Sequence, residues 1–333
     1  MDFVTVFFDI EYPLLLLQAR SLSRYLNRNM VGRLVVVDNS RPGIRPAQKS
    51  ALNREYADLA PRVELITPRE LGIAQDTQGD RGQQTLKLAA ADYVSTSHYV
   101  VLDAKNHLVD HMDTAALLAP DGRSKVAVHS YRGHPREHGL QATLEYFGLD
   151  DRLIDRFTAS TTPFVIETAA GRGLLRYVEG RSAEQFAAAF VKTGMTEFPA
   201  YTGWLLNQGH TIDESFFVTE LARPTLWAHL ANLDGVRQMT ERAQTSGPIF
   251  AVHREALARL DSPSAQALAG FWVSRELFPS EHEALRFIAT FRARRRLLVL
   301  RRKLRRAPHW VRRSAAGCLT HIRGLTSPNG TRT

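Results

Sequence analysis

The stretch SHYVVLDAKNHLVD, residues 97–110, holds the residue types best suited to chemistry. An apolar run ends at Asp103, and Lys105 follows two residues later. A carboxylate at a strand end can hold a divalent cation or a ribose hydroxyl, and a nearby ammonium can neutralise a departing diphosphate. Side chains two apart point the same way if the strand continues. The spacing therefore predicts a site for a diphosphate.

Alternating strands and helices must position this pair. Strands are predicted at 3–10, 32–40, 62–68 and 98–103, and helices at 13–27 and 83–94. This alternation predicts an α/β fold with a mostly parallel sheet between helices, and such sheets bind ligands beyond the carboxyl ends of their strands. Asp9, Asp38 and Asp103 each end a predicted strand and could form one polar mouth, although Asp also favours loops after strands in general.

The second half of the chain is less regular. Further strands are predicted at 124–131, 162–168 and 247–253, helices at 183–193 and 199–209, and a helical region at about 263–306. These elements favour one catalytic domain over 1–262, followed by a helical appendage over 263–333. A hydrophobic content of 44% is ample for such a core. The single cysteine excludes a disulfide within the chain and favours a reducing cytoplasm.

Charge is unevenly distributed along the sequence. The chain has 43 Lys and Arg, and 14 of them follow Glu283, after which there is no acid. The preceding residues hold 29 bases against 34 acids. Residues 286–325 mix these cations with Leu, Val, Ile and Phe, which is typical of a basic amphipathic helix on an anionic membrane surface. Nucleic acid or a subunit contact are the alternatives, and the acidic body argues against nucleic acid.

Three segments together resemble GT-A-type nucleotide-sugar glycosyltransferases, most closely an uncharacterised bacterial family linked to surface polysaccharide genes. They are GQQTLKLAAA leading to HYVVLDAKNHLV, then TPFVIET, then TEFPAYTGWLL. The resemblance covers about 83–207 well. It implies a GT-A-like fold and a nucleotide-sugar donor, with a donor half over about 1–110 and an acceptor half over about 111–262. Together with the basic segment over 286–325, it leads us to expect transfer to a surface glycan, as in capsule synthesis, or to its lipid-linked carrier at the cytoplasmic face of the membrane. It indicates no oligomeric state.

The resemblance makes Asp103 the first acid of a D-x-D-like metal-binding motif, with Lys105 in place of the second acid. Three interpretations remain open. The enzyme can be metal-independent, with Lys105 acting as the cation. Alternatively, Asp103, Asn106 and His107 can share a divalent cation such as Mn²⁺ or Mg²⁺, or the donor site can have decayed.

Further site residues also follow from the resemblance. Glu197 lies where inverting GT-A enzymes keep the base for the acceptor hydroxyl, although Thr196 or Glu197 could also cap a helix. His253 matches a late histidine that binds the metal or the diphosphate. The adjacent Arg254 could bind phosphate. Asp9 is assigned to the nucleoside side of the pocket.

Helical spacing supplies the remaining candidates. Gln84 and Lys87 lie three residues apart on one predicted helix, where they could meet the donor or anchor the aspartate strand. Tyr201 and Trp204 have the same spacing and could stack on an acceptor sugar or pack in the core. The sequence thus predicts a glycosyltransferase. A catalytically silent scaffold of the same fold, or a nucleic-acid-binding protein, are the alternatives.

Overall fold

The computed structural model describes residues 1–41, 43–74, 79–220 and 223–306, with main chain only at 80 and 301–306. The strands are β1 (Asp2–Phe7), β2 (Leu34–Asp38), β3 (Val63–Ile66), β4 (His98–Asp103), β5 (Asn106–Leu108), β6 (Ser124–Val126), β7 (Val128–His129), β8 (Phe157–Thr158), β9 (Phe164–Glu167), β10 (Phe216–Val218), β11 (Thr225–Leu226) and β12 (Ile249–Val252). The helices are α1 (Tyr12–Tyr25), α2 (Pro46–Tyr56), α3 (Asp80–Tyr93), α4 (Glu137–Phe147), α5 (Thr168–Gly180), α6 (Phe186–Thr193), α7 (Glu197–Asn207), α8 (Ile212–Ser215), α9 (Leu233–Thr245), α10 (Arg254–Arg259), α11 (Ser262–Ser274) and α12 (Glu281–Arg306).

The central sheet has five strands in the order β3–β2–β1–β4–β9. The first four are parallel, and β9 runs antiparallel to β4. The chain builds outward from β1 through β2 to β3 and then returns to β4 on the other side of β1. The strand order therefore reverses between β1 and β4, which is where open α/β sheets bind ligands. The predicted α/β class with a mostly parallel sheet between helices is confirmed.

Alternation along the strands fills a core on each face of the sheet. In β4, Val100 and Leu102 pack with α1, α9 and α11, while Tyr99 and Val101 pack with α3 and α5. Successive side chains of a strand point to opposite faces, so a strand covered on both faces must be apolar throughout. That requirement explains the uninterrupted apolar runs of β1, β2 and β4.

Two of the predicted elements differ from the structure. The segment predicted as one strand over 124–131 forms two short strands, β6 and β7, which pair with β10 and β8 respectively. The helical region predicted over 263–306 is interrupted between α11 and α12, where Glu276 has a positive φ of 48° and Pro279 follows. Since Pro cannot donate a backbone N–H and a positive φ is incompatible with a right-handed helix, the chain turns there.

Packing is continuous across residue 262, the predicted domain boundary. Helix α11 packs on α9, and α12 packs on α10. Buried residues of both helices, including Leu268, Trp272, Ile288 and Phe291, belong to the same core as Leu15 of α1. The first part of the predicted appendage is thus part of the body, and residues 307–325 of the predicted membrane segment lie outside the described residues.

The core contains a titratable group whose effect on stability can be tested. His107 is 2% exposed and its Nε2 accepts a hydrogen bond from Trp272 Nε1 at 3.0 Å. Burial lowers the pKa of His107 to about 4. In the unfolded chain the imidazole takes up a proton with a pKa of about 6.5, whereas in the native state it stays neutral at that pH. The free energy of unfolding should therefore fall as the pH drops from about 6.5 to about 4, by up to about 1.4 kcal/mol per pH unit from this group.

The substitution His107→Gln keeps an acceptor for Trp272 but removes the titration. We expect urea denaturation at pH 7, 6 and 5 to show a shallower loss of stability in this variant than in the wild type. The exposed His138, changed to Gln, serves as the control and should follow the wild type. Equal slopes for His107→Gln and wild type would mean that His107 does not titrate as its burial requires.

Candidate active site

A polar cavity of about 160 Å³ lies at the carboxyl ends of β1 and β4, where the strand order of the sheet reverses. Residues from several strands, helices and connecting loops line it: Val6, Glu11, Leu14, Gln83, Gln84, Lys87, Asp103, Ala104, Lys105, Arg136, Glu197, Trp227, His253 and Arg254. The lining combines carboxylates with several cations. Its aromatic rings are those of Trp227 and His253. This is the composition of a site for a charged, polar ligand.

Lys87 is the centre of this site. Its ammonium lies 2.7 Å from Asp103 Oδ1 and 3.1 Å from Glu197 Oε1, so it joins α3, the end of β4 and the first turn of α7. Burial alone would lower the pKa of Lys87, but the two carboxylates outweigh burial and raise it. The lysine is therefore a fixed positive charge, as expected for a buried cation between two anions.

Asp103 is fully engaged by this network. Its Oδ2 accepts hydrogen bonds from Lys105 Nζ and, at 3.0 Å, from Thr162 Oγ1. Burial would raise the pKa of Asp103, but Lys105 and Lys87 hold it well below its usual range. Asp103 is thus an ionised carboxylate that fixes the position of two ammonium groups.

Glu11 and Arg254 form a second ion pair on the β1 side of the cavity, at 2.6 Å. Gln83 Nε2 donates to the other carboxylate oxygen of Glu11 at 3.2 Å. Burial raises the pKa of Glu11, and Arg254 opposes that effect. Arg254 is the first residue of α10, and its guanidinium also lies over the ring of Phe8, 5.2 Å from the centroid.

His253 is a neutral group in this site. Its Nδ1 accepts the backbone N–H of Glu255 at 3.3 Å and so caps α10. Burial, with Lys105 and Arg254 nearby, lowers the pKa of His253 to about 4. A neutral imidazole that accepts at Nδ1 carries its proton at Nε2. Its ring also packs against Trp227, with centroids 5.2 Å apart.

The donor set does not fit the predicted divalent cation at Asp103 and His253. Both Asp103 oxygens bind ammonium groups, and the free nitrogen of His253 holds a proton. Hard cations need several oxygen ligands. Within the described ranges, no group of three or more His, Cys, Asp or Glu could hold a metal ion. Within the described residues, Lys87, Lys105, Arg136 and Arg254 bring positive charge to this site.

The structure brings several predicted site residues together and leaves others outside the cavity. Gln84, Lys87, Asp103, Lys105, Glu197 and His253 all line it. Asn106 does not, because its side chain accepts from Asp103 N at 2.7 Å and donates to Thr162 O at 3.3 Å, which shapes the turn after β4. His107 faces Trp272 in the core instead of a shared cation.

Asp38 and Asp9 also lie outside the cavity lining. The Asp38 carboxylate accepts hydrogen bonds from the main chain of Ser40 and Ile44 and so organises the loop after β2. Asp9 Oδ1 is buried and has no hydrogen-bond partner in the described residues, and its carbonyl oxygen accepts from Arg294 at 3.2 Å. The acid that lines the cavity on this side is Glu11, the N-cap residue of α1.

Tyr201 and Trp204, the predicted acceptor platform, are packed within the fold. Tyr201 is 3% exposed and its hydroxyl accepts from Glu167 N at 3.0 Å. Trp204 lies against Tyr177, with ring centroids 4.8 Å apart. The exposed aromatic at the cavity is Trp227, which is 42% exposed and lies 5.4 Å from Lys105 Nζ. Its position after the short strand β11 gave no periodic signal in the sequence.

The Lys87 network should be strongly coupled to stability. Lys87→Met leaves two buried carboxylates without their shared cation, which typically costs about 3–5 kcal/mol. Urea denaturation measures this loss. The control is Lys192→Met, since Lys192 forms an exposed pair with Glu184 and should change stability by less than about 1 kcal/mol. Equal losses of unfolding free energy in the two variants would show that the buried network contributes no more to stability than an exposed ion pair.

Three solved structures resemble this fold. The galactosyltransferase LgtC, in complex with donor and acceptor sugar analogues, has a TM-score of 0.49 at 13% identity and covers 83% of this chain and 100% of its own. The bifunctional glycosyltransferase WbbM has a TM-score of 0.42 at 10% identity over 75% of this chain and 45% of its own. Mouse xyloside xylosyltransferase 1 has a TM-score of 0.39 at 12% identity over 75% of this chain and 97% of its own.

Similarity at this level assigns no activity to the chain, and no protein of curated function matches it. The comparison of sequences with family models is more decisive, because one model matches residues 14–232. That range includes β2–β9 and both residues bridged by Lys87. The chain therefore belongs to a family of unknown function, DUF6492.

Proposed function

We propose that the protein is a GT-A-type glycosyltransferase that moves a sugar from a nucleotide-sugar donor to a glycan acceptor. One observation carries this proposal. Lys87 and Asp103, from the first of the motifs that resemble such enzymes, meet Glu197, from the third, in one ion network at one cavity. A common ligand gives a reason for two motifs that are distant in sequence to share a site.

The charges of the cavity suit a diphosphate. Lys105, Arg136 and Arg254 bring cationic groups to its lining, and each is partly open to solvent. A guanidinium binds phosphate oxygens through two parallel hydrogen bonds, and an ammonium neutralises them as a point charge. The two lysines beside Asp103 provide the positive charge that a bound metal ion supplies in metal-dependent enzymes. We therefore propose that transfer proceeds without a divalent cation.

Glu197 is the proposed base if the reaction inverts. The acceptor hydroxyl forms a bond to the anomeric carbon of the donor sugar as the bond from that carbon to the diphosphate oxygen breaks. The departing electron pair stays on the diphosphate, next to Lys105, and Glu197 takes the hydroxyl proton. Glu197 suits this task because one carboxylate oxygen is held by Lys87, while the other has no hydrogen-bond partner among the described residues.

A screen of nucleotide-sugars tests this function. UDP-, GDP-, dTDP- and CMP-sugars are incubated with the protein with Mn²⁺ or with EDTA, and release of the nucleotide is measured. We expect one donor to be turned over at similar rates in both conditions, because lysines supply the positive charge. Activity that EDTA abolishes and Mn²⁺ restores would contradict the metal-free mechanism.

The role of Glu197 is tested by Glu197→Gln. Loss of a general base typically lowers the turnover rate by about 10²–10⁴-fold. We expect such a loss in kcat with little change in the dissociation constant of the donor measured by calorimetry. Glu184→Gln is the matched control, since Glu184 pairs with Lys192 on the surface. Normal kcat in Glu197→Gln would remove Glu197 from the mechanism.

A catalytically silent scaffold is the second candidate. Its support is the saturation of Asp103, whose oxygens already bind two ammonium groups and a hydroxyl. Such a network can also be purely structural. Calorimetry separates the two functions, because a scaffold binds none of the nucleotide-sugars, whereas an enzyme binds at least one.

We also propose that the acceptor is lipid-linked and that the protein works at the inner face of the cell membrane. No described helix has the length and apolarity to cross a bilayer. Helix α12 carries exposed Leu297 and Leu300 beside exposed Arg296, which suits a surface that inserts shallowly among anionic lipids. Arg295 of α12 pairs with Glu255 of α10 at 2.5 Å, next to Arg254 of the cavity, so this surface adjoins the site.

Vesicle sedimentation tests this attachment. We expect the full chain to bind phosphatidylglycerol vesicles at low salt, to be released as salt rises, and to ignore phosphatidylcholine vesicles. Leu297→Glu with Leu300→Glu should weaken binding by adding charge to the apolar part of the surface. Exposed Val191, changed to Glu, is the control on another face. Binding of the full chain to duplex DNA, without binding to phosphatidylglycerol vesicles, would favour the nucleic-acid alternative.

A further inference from the structure

Two buried oxygen atoms of the cavity residues have no hydrogen-bond partner in the part of the chain that the structure describes. They are Gln84 Oε1 and Glu197 Oε2, on side chains from residues that are 8% and 2% exposed. A buried acceptor without a partner costs about 1–3 kcal/mol. Two such atoms among the lining residues of one cavity are therefore expected to meet donors from a ligand.

The surrounding contacts explain why these oxygens stay open. Lys87 Nζ holds Glu197 Oε1, and Arg136 Nη1 lies 3.7 Å from Oε2, beyond hydrogen-bond distance. Gln84 lies one helical turn before Lys87 on α3, whereas its neighbour Gln83 is already bound to Glu11. Of the two adjacent glutamines, only Gln84 retains a buried, unpartnered oxygen in the described structure.

The size of the cavity limits what can meet these oxygens. Pockets that enclose whole ligands measure about 300–1,000 Å³, whereas this one measures about 160 Å³. It can enclose one part of a nucleotide-sugar, and the remainder must extend past its mouth. Hydroxyl groups are the donors that a sugar ring offers. A carboxylate substituent offers no hydrogen to an acceptor and would face the negative charge of Glu197.

We infer that Gln84 and Glu197 form a hydroxyl-recognition pair, in which Gln84 Oε1 accepts a hydrogen bond from the donor hexose at the closed part of the cavity and Glu197 Oε2 accepts one from the acceptor hydroxyl. In this arrangement Gln84 determines specificity for a neutral hexose. This inference rests on the proposed function, because it assigns the sugar of a nucleotide-sugar to that space. An amide suits the task, since it recognises a hydroxyl through either its oxygen or its nitrogen. A sugar that lacks the matching hydroxyl would leave the buried Gln84 amide unpaired, and this cost discriminates against that sugar.

Calorimetry with two sets of probes tests the pair. The first set is UDP-glucose, UDP-galactose, GDP-mannose and dTDP-glucose, and the second is the free diphosphates UDP, GDP and dTDP. Gln84→Leu, which keeps the shape of the side chain, should weaken binding of the preferred nucleotide-sugar by about 3- to 10-fold, the value of one hydrogen bond. Binding of the matching free diphosphate should stay within about 2-fold. Gln141→Leu, on the exposed face of α4, is the control.

A second measurement needs no variant. The wild-type protein should bind the preferred neutral donor more tightly than its uronic acid counterpart, UDP-glucuronic acid for UDP-glucose, UDP-galacturonic acid for UDP-galactose or GDP-mannuronic acid for GDP-mannose. Equal weakening of sugar-bearing and sugar-free ligands by Gln84→Leu, or tighter binding of the uronic acid, would overturn the inference while leaving sugar transfer intact. Failure of the wild type to bind any nucleotide-sugar would instead overturn the proposed function, and the inference with it.

Discussion

The rest of the site depends on the buried ammonium of Lys87. It lies between two carboxylates that are distant in sequence, Asp103 at the end of β4 and Glu197 at the start of α7. Removing two carboxylates from water is costly unless a cation offsets their charge. With Lys87 in place, α3 is tied to both partners, and the cavity acquires a fixed arrangement of charge before any ligand arrives.

This arrangement divides the cavity by charge. Both oxygens of Asp103 form ion pairs, one with Lys87 and one with Lys105. Its proposed effect on a ligand is therefore to orient these two ammonium groups. Glu197 keeps one oxygen free for a hydroxyl, and Arg254 is aligned by Glu11. Preorganised charges of this kind stabilise a developing diphosphate without reorganisation during the reaction. The proposed metal-free transfer rests on the positions of the two lysines beside Asp103.

The sequence predicted the parts of this site that follow from local periodicity. Strand β4 ends at Asp103 because its apolar run stops there, and the spacing of Gln84 and Lys87 on one helix face follows from the helical repeat. Sequence reasoning missed Glu11, Arg136 and Trp227, which line the cavity, and Thr162, which donates to Asp103. Each arrives through a tertiary approach that no local pattern records. Glu11 is the N-cap of α1 and does not end β1, so strand-end spacing did not identify it. Tyr201 shows the opposite error, since helical spacing alone does not separate an aromatic core from a sugar platform.

The central claim is that this cavity is a single binding site for an activated sugar. The most direct measurement is a crystal structure grown with the best-bound nucleotide-sugar. We expect the diphosphate of this donor to lie against Lys105, and its hexose to lie within reach of Gln84 Oε1 and beside Glu197 Oε2. A donor bound elsewhere on the surface, with the Lys87 network untouched by ligand, would contradict the account.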